Sequence, residues 1–524
     1  MGDFSNSDRD VFILRIPRMI DRGALLSRYS RTSSLDLRSL YEKEFLTNEK
    51  RGEDFYRRVF LEYGDESVSE LVTVQFAVQN VTNIASQVIE DSRIGLSFLE
   101  KSSRYVSYSR KFAGRYLYAS SDRIGLNGSV AKDYEALCED LFTFYSDNLE
   151  KAKKYYEDRY PLDSINFSET DHAKYIDELT PAEGEIAKKS YESAIRARAL
   201  DDLRFLLPAS TLTNIGISGN GRSLIYLVQR LEAYGTRETS VLADQIFAEM
   251  KPELPELIDA ARNAHGRDGV KYLSNMYSEA LHRPAVPAKK QLVELLDFQE
   301  EETALERSVG RLLTTFNGYD QDNSGSKSQL DLNIKRFLLD QIALRQNRRD
   351  RLHRIFELVN YTFLVNTNFG AFRDFHRHRF FTTLRGILTC SAGYDTPDYF
   401  LSGEELKMDY SRLMERAETV YTRIRETSGP LYAQYVVPFA YRYPVLASAN
   451  LRELAHFIEL RSTPQAHFDL RNIAIQMHDA IARVNPNLAK LIKFADRNQY
   501  ALGRLKSEQR KERKMRNLEG QSGP

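Results

Sequence analysis

A chain of 524 residues is long enough for two or three domains, each with a core of its own. Apolar residues make up 42% and charged residues 28%, and Lys plus Arg equal Asp plus Glu at 74 each, so no global field draws a nucleic acid or an anionic membrane. The two cysteines, Cys138 and Cys390, lie far apart and in no metal or redox spacing, which excludes a disulfide scaffold; with no secretory pattern at the N-terminus and no apolar run near the ~18 residues of a membrane helix, the expected setting is the cytoplasm.

In chain order, the first expected element is a strand. Residues 70–80 (Glu-Leu-Val-Thr-Val-Gln-Phe-Ala-Val-Gln-Asn) alternate β-formers with polar residues, the pattern of a half-buried strand, and Ser67 stands just before it. Gln87, Glu90-Asp91-Ser92 and then Ser97-Phe98-Leu99-Glu100-Lys101-Ser102-Ser103-Arg104-Tyr105 follow. Residues 130–200, rich in Tyr, Asp and Lys at helical spacing, read as an inserted helical subdomain. Next come Arg204-Phe205-Leu206-Leu207-Pro208 and, twelve residues past the Pro, Asn220-Gly221-Arg222-Ser223-Leu224, which opens a helical apolar pattern (Leu224, Leu227, Val228). Residues 266–300 read as a connector broken by Pro284 and Pro287. A second strand pattern covers residues 357–367, followed by Arg377-His378-Arg379. Gln434-Tyr435-Val436-Val437-Pro438 and, again twelve residues past the Pro, Asn450-Leu451-Arg452 lead into a second helical pattern (Leu454, Phe457, Ile458). Residues 506–516, rich in Lys and Arg, read as a solvated tail.

These elements repeat. Glu70 and Phe76 match Glu357 and Phe363 at an offset of 287, and the Pro-to-Asn segments match at an offset of 230. One repeat is placed at 24–265, with the insertion at about 130–200, and the other at 300–500; residues 266–300 join them and 501–524 form a basic C-terminal tail. The first offset sets Gln87 opposite Asp374, and Glu90-Asp91-Ser92 opposite Arg377-His378-Arg379.

Arg-His-Arg directly after a strand would set fixed donors at one sheet edge, and guanidinium forks match phosphate and carbonyl oxygens in bidentate fashion. Glu100-x-Ser102-x-Arg104 adds an acceptor, a hydroxyl and a further cation over five residues. Together they suit a nucleotide. His376 and His378 have no Cys or carboxylate cluster nearby in the sequence, so no metal is assigned. No base stands within reach in the sequence to make Ser97 or Ser102 a nucleophile.

These segments resemble the flavin-dependent thymidylate synthases (thymidylate synthase complementing proteins). Their motif is Arg-His-Arg-x-x-Ser-x-Asn-Glu-x-Ser-x-Arg-Tyr, preceded by a Ser/Thr and a Glu on a strand and by a Gln three residues before the first Arg. Arg-x-x-Leu-Pro, Asn-Ala-Arg-Ser-Leu and a Leu-Arg nine residues on follow. The first repeat has Ser67, Glu70, Gln87, Glu100, Ser102, Arg104, Arg204 and Asn220-x-Arg222, but Glu90-Asp91-Ser92 where Arg-His-Arg is expected. The second has Arg377-His378-Arg379, Asn450, Arg452 and Leu460-Arg461, but Arg385, Ile387 and Thr389 where Glu, Ser and Arg are expected, and Gln434 in place of Arg204.

The resemblance implies a fold and a site. The fold is α+β: two tandem copies, each a twisted, mainly antiparallel sheet flanked by helices. In the family the site lies between subunits, so the complementary losses imply one complete composite site built by both repeats, with its mirror image decayed. The implied reaction converts dUMP to dTMP, with FAD as cofactor and with 5,10-methylenetetrahydrofolate and NADPH as co-substrates. Arg461 is the implied catalytic group, stabilising charge on the uracil. Asp374, Arg377, Glu100, Ser102, Ser103, Arg104, Arg204 and Arg461 are the implied dUMP residues. Ser67, Arg377, His378, Arg379, Glu100, Asn450, Arg452 and His456 are the implied FAD residues. Family members are homotetramers, so a fused chain implies a homodimer. Leu99 in place of the Asn, and two extra residues before Ser97, leave two alternatives open: another uridylate as substrate, or a flavin- and nucleotide-binding scaffold or regulatory protein without methyl transfer.

Overall fold

Strand-forming alternation in each half of the chain produces a small antiparallel sheet. β1 (Thr73–Thr82), β2 (Leu96–Glu100) and β3 (Leu212–Asn220) form the first, in the order β1-β3-β2. β4 (Val293–Phe298), β5 (Asn360–Asn368), β6 (Thr382–Arg385) and β7 (Arg442–Asn450) form the second, in the order β4-β5-β7-β6. The helices that bear on the site are α1 (Met19–Tyr29), α2 (Asn83–Glu90), α3 (Gly128–Arg159), α4 (Pro181–Leu203), α5 (Gly221–Tyr234), α6 (Phe369–Phe375), α7 (Glu404–Ser428), α8 (Leu451–Arg461), α9 (Phe468–Val484) and α10 (Leu505–Gln521). The fold is α+β in two tandem copies. The computed structural model describes residues 2–33, 36–48, 50–62, 66–168, 172–281, 283, 291–316 and 327–521, so Pro284 and Pro287 of the connector lie outside the described residues.

Side-chain caps set where the helices begin. Thr82 caps α2 and Asn368 caps α6, accepting from the N–H of Ala85 and Ala371 at 3.2 and 2.8 Å. Asn220 and Asn450 cap α5 and α8, accepting from Ser223 and Glu453 at 2.9 Å each. Each such cap stabilises its helix by ~1 kcal/mol. The sheets share one register: Phe76 faces Ile217 and Phe363 faces Ala447, so both sequence offsets meet at one rung.

Beyond that rung the first offset changes. β1 carries a bulge between Val78 and Val81, where Asn80 adopts a left-handed φ of 55° and donates its N–H to Asn214 Oδ1. One extra residue in β1 lowers the offset to 286. The counterpart of Arg377-His378-Arg379 is therefore Asp91-Ser92-Arg93, not Glu90-Asp91-Ser92, and Val88 rather than Gln87 matches Asp374. Nor does Arg-His-Arg follow its strand directly, because α6 intervenes. Ser67 and Glu70 lie on the helical turn Glu66–Leu71 ahead of β1, so neither is a strand residue.

The repeats meet about a pseudo-two-fold axis, as the two halves of an isologous dimer would. Ala209 N–H donates to Val437 O and Phe439 N–H to Leu207 O, both at 2.9 Å; Ser210 donates to Tyr435 O and Ala440 to Phe205 O at 2.9 and 3.0 Å. Farther out, Arg93 donates to Phe381 O while its counterpart Arg379 donates to Leu96 O.

The core does not follow the repeat boundary. α1 packs with the first sheet, but Tyr134, Tyr145 and Tyr156 of α3 share a core with Phe363 and Phe439 of the second repeat. α4 has a counterpart in α7, since each runs toward the turn at Arg204 or Gln434, so the added material is α3 and the loop after it rather than all of 130–200. The 506–516 run is a helix rather than a frayed tail: its Lys and Arg side chains are exposed, but α10 packs along α4, with Gln509 buried and donating to Phe167 O, and Arg516 donates to Ala182 O. Among the described residues no helix is long and apolar enough to cross a membrane.

Candidate active site

At the axis the repeats bring six guanidiniums (Arg104, Arg204, Arg373, Arg377, Arg461, Arg504) against three carboxylates (Glu100, Asp201, Asp374). Arg204, 2% exposed, reaches Asp374 at 3.2 Å through Nη1, while its Nε and Nη2 have no partner among the described residues. Arg377 lies 3.7 Å from Glu100 and 3.8 Å from Asp374. Arg373 ties Glu100 at 2.6 Å and Ser103 Oγ at 3.2 Å. Burial works to raise the Asp374 carboxyl, but Arg204, Arg377 and Arg104 together hold it well below the usual carboxylate range.

Arg104 pairs with Asp201 through two bonds, at 2.9 and 3.1 Å, and donates to Gln465 O. Arg504, just ahead of α10, reaches the same Asp201 at 3.3 Å, donates to Arg104 O and lies 4.4 Å over the Tyr105 ring. Burial works to raise Asp201, and Arg104 with Arg504 outweighs it and keeps the carboxylate ionised. Ser102 accepts from the Arg104 N–H at 3.3 Å and shapes this turn.

Arg461 ends α8 and donates from Nε to His378 Nε2 at 2.7 Å and from Nη2 to Asp374 O at 3.4 Å. His378 Nε2 is therefore an acceptor, which leaves the ring proton on Nδ1, 3.4 Å from Glu453 Oε1. Burial, then Arg461 and His456, push the His378 pKa well below its usual value, so the ring is neutral. His376 faces away from it, 2.9 Å from Asp91 and 3.6 Å from its own counterpart Glu90, so the two histidines serve different partners.

Glu453 also lines an open cleft of about 620 Å³ together with Arg348, Arg351, Asn450, Arg452 and His456, and Phe380 forms its rim. Arg452 is fixed by Glu357 at 2.9 Å, as Arg222 is by Glu70 at 2.9 Å in the first repeat. Burial, then Arg351 and Arg348, lower His456. Three cations beside a capping amide and an exposed aromatic ring suit a ligand with a pyrophosphate and a planar ring system.

Burial raises the Glu453 carboxyl from 4.5 to about 7, against the pull of Arg351 and Arg452. Below pH 4.5 it is protonated in folded and unfolded chains alike, and above about 7 it is ionised in both. Between these limits the folded state keeps a proton that the unfolded chain has released, so this group makes stability fall as pH rises. Glu453→Gln is expected to remove that part of the pH dependence. Urea midpoints at pH 5 and pH 8 that differ by as much in the variant as in the parent would refute it.

The mirror position is also ion-paired, with the charges exchanged. Arg385 occupies the β6 position equivalent to Glu100, and Asp91 the position equivalent to Arg377. They form a two-bonded pair at 2.8 and 2.7 Å, where the composite site has Glu100 and Arg377. Burial works to raise Asp91, but Arg385 and His376 keep it ionised. The inverted pair is the tighter of the two, at 2.7 Å against 3.7 Å for Arg377 and Glu100.

The structure thus gathers Glu100, Ser102, Ser103, Arg104, Arg204, Asp374, Arg377, His378 and Arg461 about the axis, and sets Asn450, Arg452 and His456 in the adjoining cleft. Arg379 bridges to β2, donating to Leu96 O and Ser97 Oγ. Ser67 is grouped elsewhere, on the turn that carries Glu70 of the mirror cleft. Sequence reasoning missed Arg373, Asp201, Arg504, Arg348, Arg351 and Glu453. Only Glu453 left a signal, as an acid where Asn-Ala-Arg-Ser-Leu has Ser.

The chain is similar to known proteins over most of its length. The profile of the family "Thymidylate synthase complementing protein" matches residues 22–256 and 295–487. The chain belongs to that family. Over 497 residues it is 48% identical to a UPF0159 protein of Thermoplasma acidophilum, covering 94% of this chain and 99% of the relative. A UPF0159 protein of Chlamydia pneumoniae is 34% identical over 540 residues, with 97% and 96% covered. A flavin-dependent thymidylate synthase of Thermococcus kodakarensis is 38% identical over 63 residues, 12% of this chain and 25% of that enzyme.

Proposed function

We infer that this protein is a flavin-dependent thymidylate synthase that methylates dUMP reductively at one composite site. The observation that carries the reading is the axial cluster: six guanidiniums against three carboxylates, drawn from both repeats and the segment just ahead of α10, with the buried Nε and Nη2 of Arg204 unpartnered among the described residues. Such an excess of fixed positive charge suits a nucleotide monophosphate. Family membership and the short match to a named flavin-dependent thymidylate synthase support it.

In this reading Arg204, Arg104 and Ser102 hold phosphate and sugar, and Arg377 with Asp374 orients the base. Arg461 stands where negative charge grows on the uracil carbonyl side. Its guanidinium is set in advance by His378 and Asp374 O, so no reorganisation is required as that charge develops. Asn450, Arg452, His456, Arg348 and Arg351 would hold FAD in the adjoining cleft, where it supplies hydride; NADPH and 5,10-methylenetetrahydrofolate are the co-substrates. A homodimer with two composite sites is the proposed assembly.

Incubating the protein with dUMP, 5,10-methylenetetrahydrofolate, NADPH and FAD should yield dTMP and release tritium from 5-tritiated dUMP. No tritium release from a protein that folds and binds flavin would overturn the reading. A second reading, methylation of a different uridylate, draws on Asp374 in the place of the family's Gln and on Asp201's hold on Arg104. UMP as competitor in the same assay distinguishes the two.

A further inference from the structure

The pseudo-two-fold axis maps the FAD cleft onto a second open cleft, of about 1200 Å³, in the first repeat. Position by position, Asn220, Arg222 and Tyr226 there replace Asn450, Arg452 and His456, and Ile94 replaces Phe380 at the rim. We propose that this cleft is a second, non-catalytic binding site for a flavin-type dinucleotide, a ligand with a pyrophosphate and a planar ring. The proposal rests on the reading of the Arg452 cleft as the FAD site.

Charge and burial carry it. Glu70 is neutralised by Arg222 and Asp91 by Arg385, so the acids of this cleft are spent on ion pairs. Arg93 and Arg230 remain as cations bonded to neutral oxygens, Arg93 to the carbonyls of Arg379 and Phe381, and Arg230 to the Tyr277 hydroxyl at 3.2 Å. Among the described residues, two buried polar atoms of the lining residues have no partner: the Arg230 Nε and the hydroxyl of Ser92, a residue 8% exposed. Arg93 and Arg230 line the cleft together, and two guanidiniums that face no carboxylate among the described residues suit a pyrophosphate. Tyr226, 46% exposed, and Ile94, 86% exposed, offer an apolar face at the rim.

The cleft has nevertheless lost the chemistry. Leu231 stands where α8 has Arg461, Ser92 where it would meet His378, and Asp91, paired with Arg385, stands where the composite site has Arg377. A ligand bound here would have no catalytic arginine beside it.

Titrating flavin-free protein with FAD, followed by flavin fluorescence and by protein-bound absorbance after gel filtration, should give two FAD per chain. Arg222→Glu should leave one, and Arg452→Glu should also leave one. Tyr226→Ala, a substitution at an exposed ring, should weaken one of the two sites about tenfold and keeps the test decisive if Arg222→Glu does not fold. One FAD per chain in the parent, abolished by Arg452→Glu, would overturn the second site while the composite site stands. Two FAD per chain that both disappear in Arg452→Glu would overturn it as well. No FAD bound at all would overturn this proposal and the flavin reading together.

Discussion

Arg461→Ala is expected to lower kcat for dTMP formation by about 10²–10³-fold, or ~2.7–4 kcal/mol, the usual effect of removing one preorganised donor from a site of developing charge. FAD binding should persist, because the cleft around Arg452 does not use Arg461. KM for dUMP should change less than kcat, since the interaction strengthens as charge develops. The Arg461 side chain is half-buried and its guanidinium is held by His378 Nε2 and Asp374 O, so lysine, with no planar fork, should restore little. Unchanged dTMP formation in the alanine variant would remove Arg461 from the mechanism. A loss of FAD binding equal to the loss of turnover would make it a structural cation.

The second large effect concerns stability. Asp374→Ala is expected to destabilise the fold by ~3–5 kcal/mol, because it leaves the fully buried Arg204 guanidinium without its counter-charge. The paired change Asp374→Ala with Arg204→Met should recover most of that loss, since burying neither charge is close to neutral. Urea unfolding of the two variants measures it. An Asp374→Ala protein within ~1 kcal/mol of the parent would mean that Arg377, Arg104 and Arg204 already settle without that carboxylate. Neither variant is expected to make dTMP, so the two arms of the experiment separate folding from chemistry.

Much of this was legible in residue order. A strand, a cap and an apolar helix face are local patterns, so the duplication could be read from Glu70 and Glu357, Phe76 and Phe363, and the two Pro-to-Asn segments. The loss of Arg-His-Arg in one copy and of Glu-x-Ser-x-Arg in the other was equally plain. The register was read one residue off, because a bulge is a backbone event: Asn80 takes the left-handed region and pairs with Asn214 of a strand far away in the sequence. The basic run near the C-terminus does carry solvated cations, but composition reports charge and not what a helix packs against. Arg504, just ahead of that run, is buried by contact with Arg104 and Asp201, hundreds of residues earlier.

The sequence alone determined the family, the α+β repeats, and which half could supply each arginine, because these depend on residue type and short spacing. The tertiary structure alone decided how the charges are matched. It set Asp201 on Arg104, Glu453 on His378, and an inverted Asp91–Arg385 pair in the place of Arg377 and Glu100. Ion pairing depends on distance and desolvation across the pseudo-two-fold axis, and neither quantity exists until the two repeats have closed on each other.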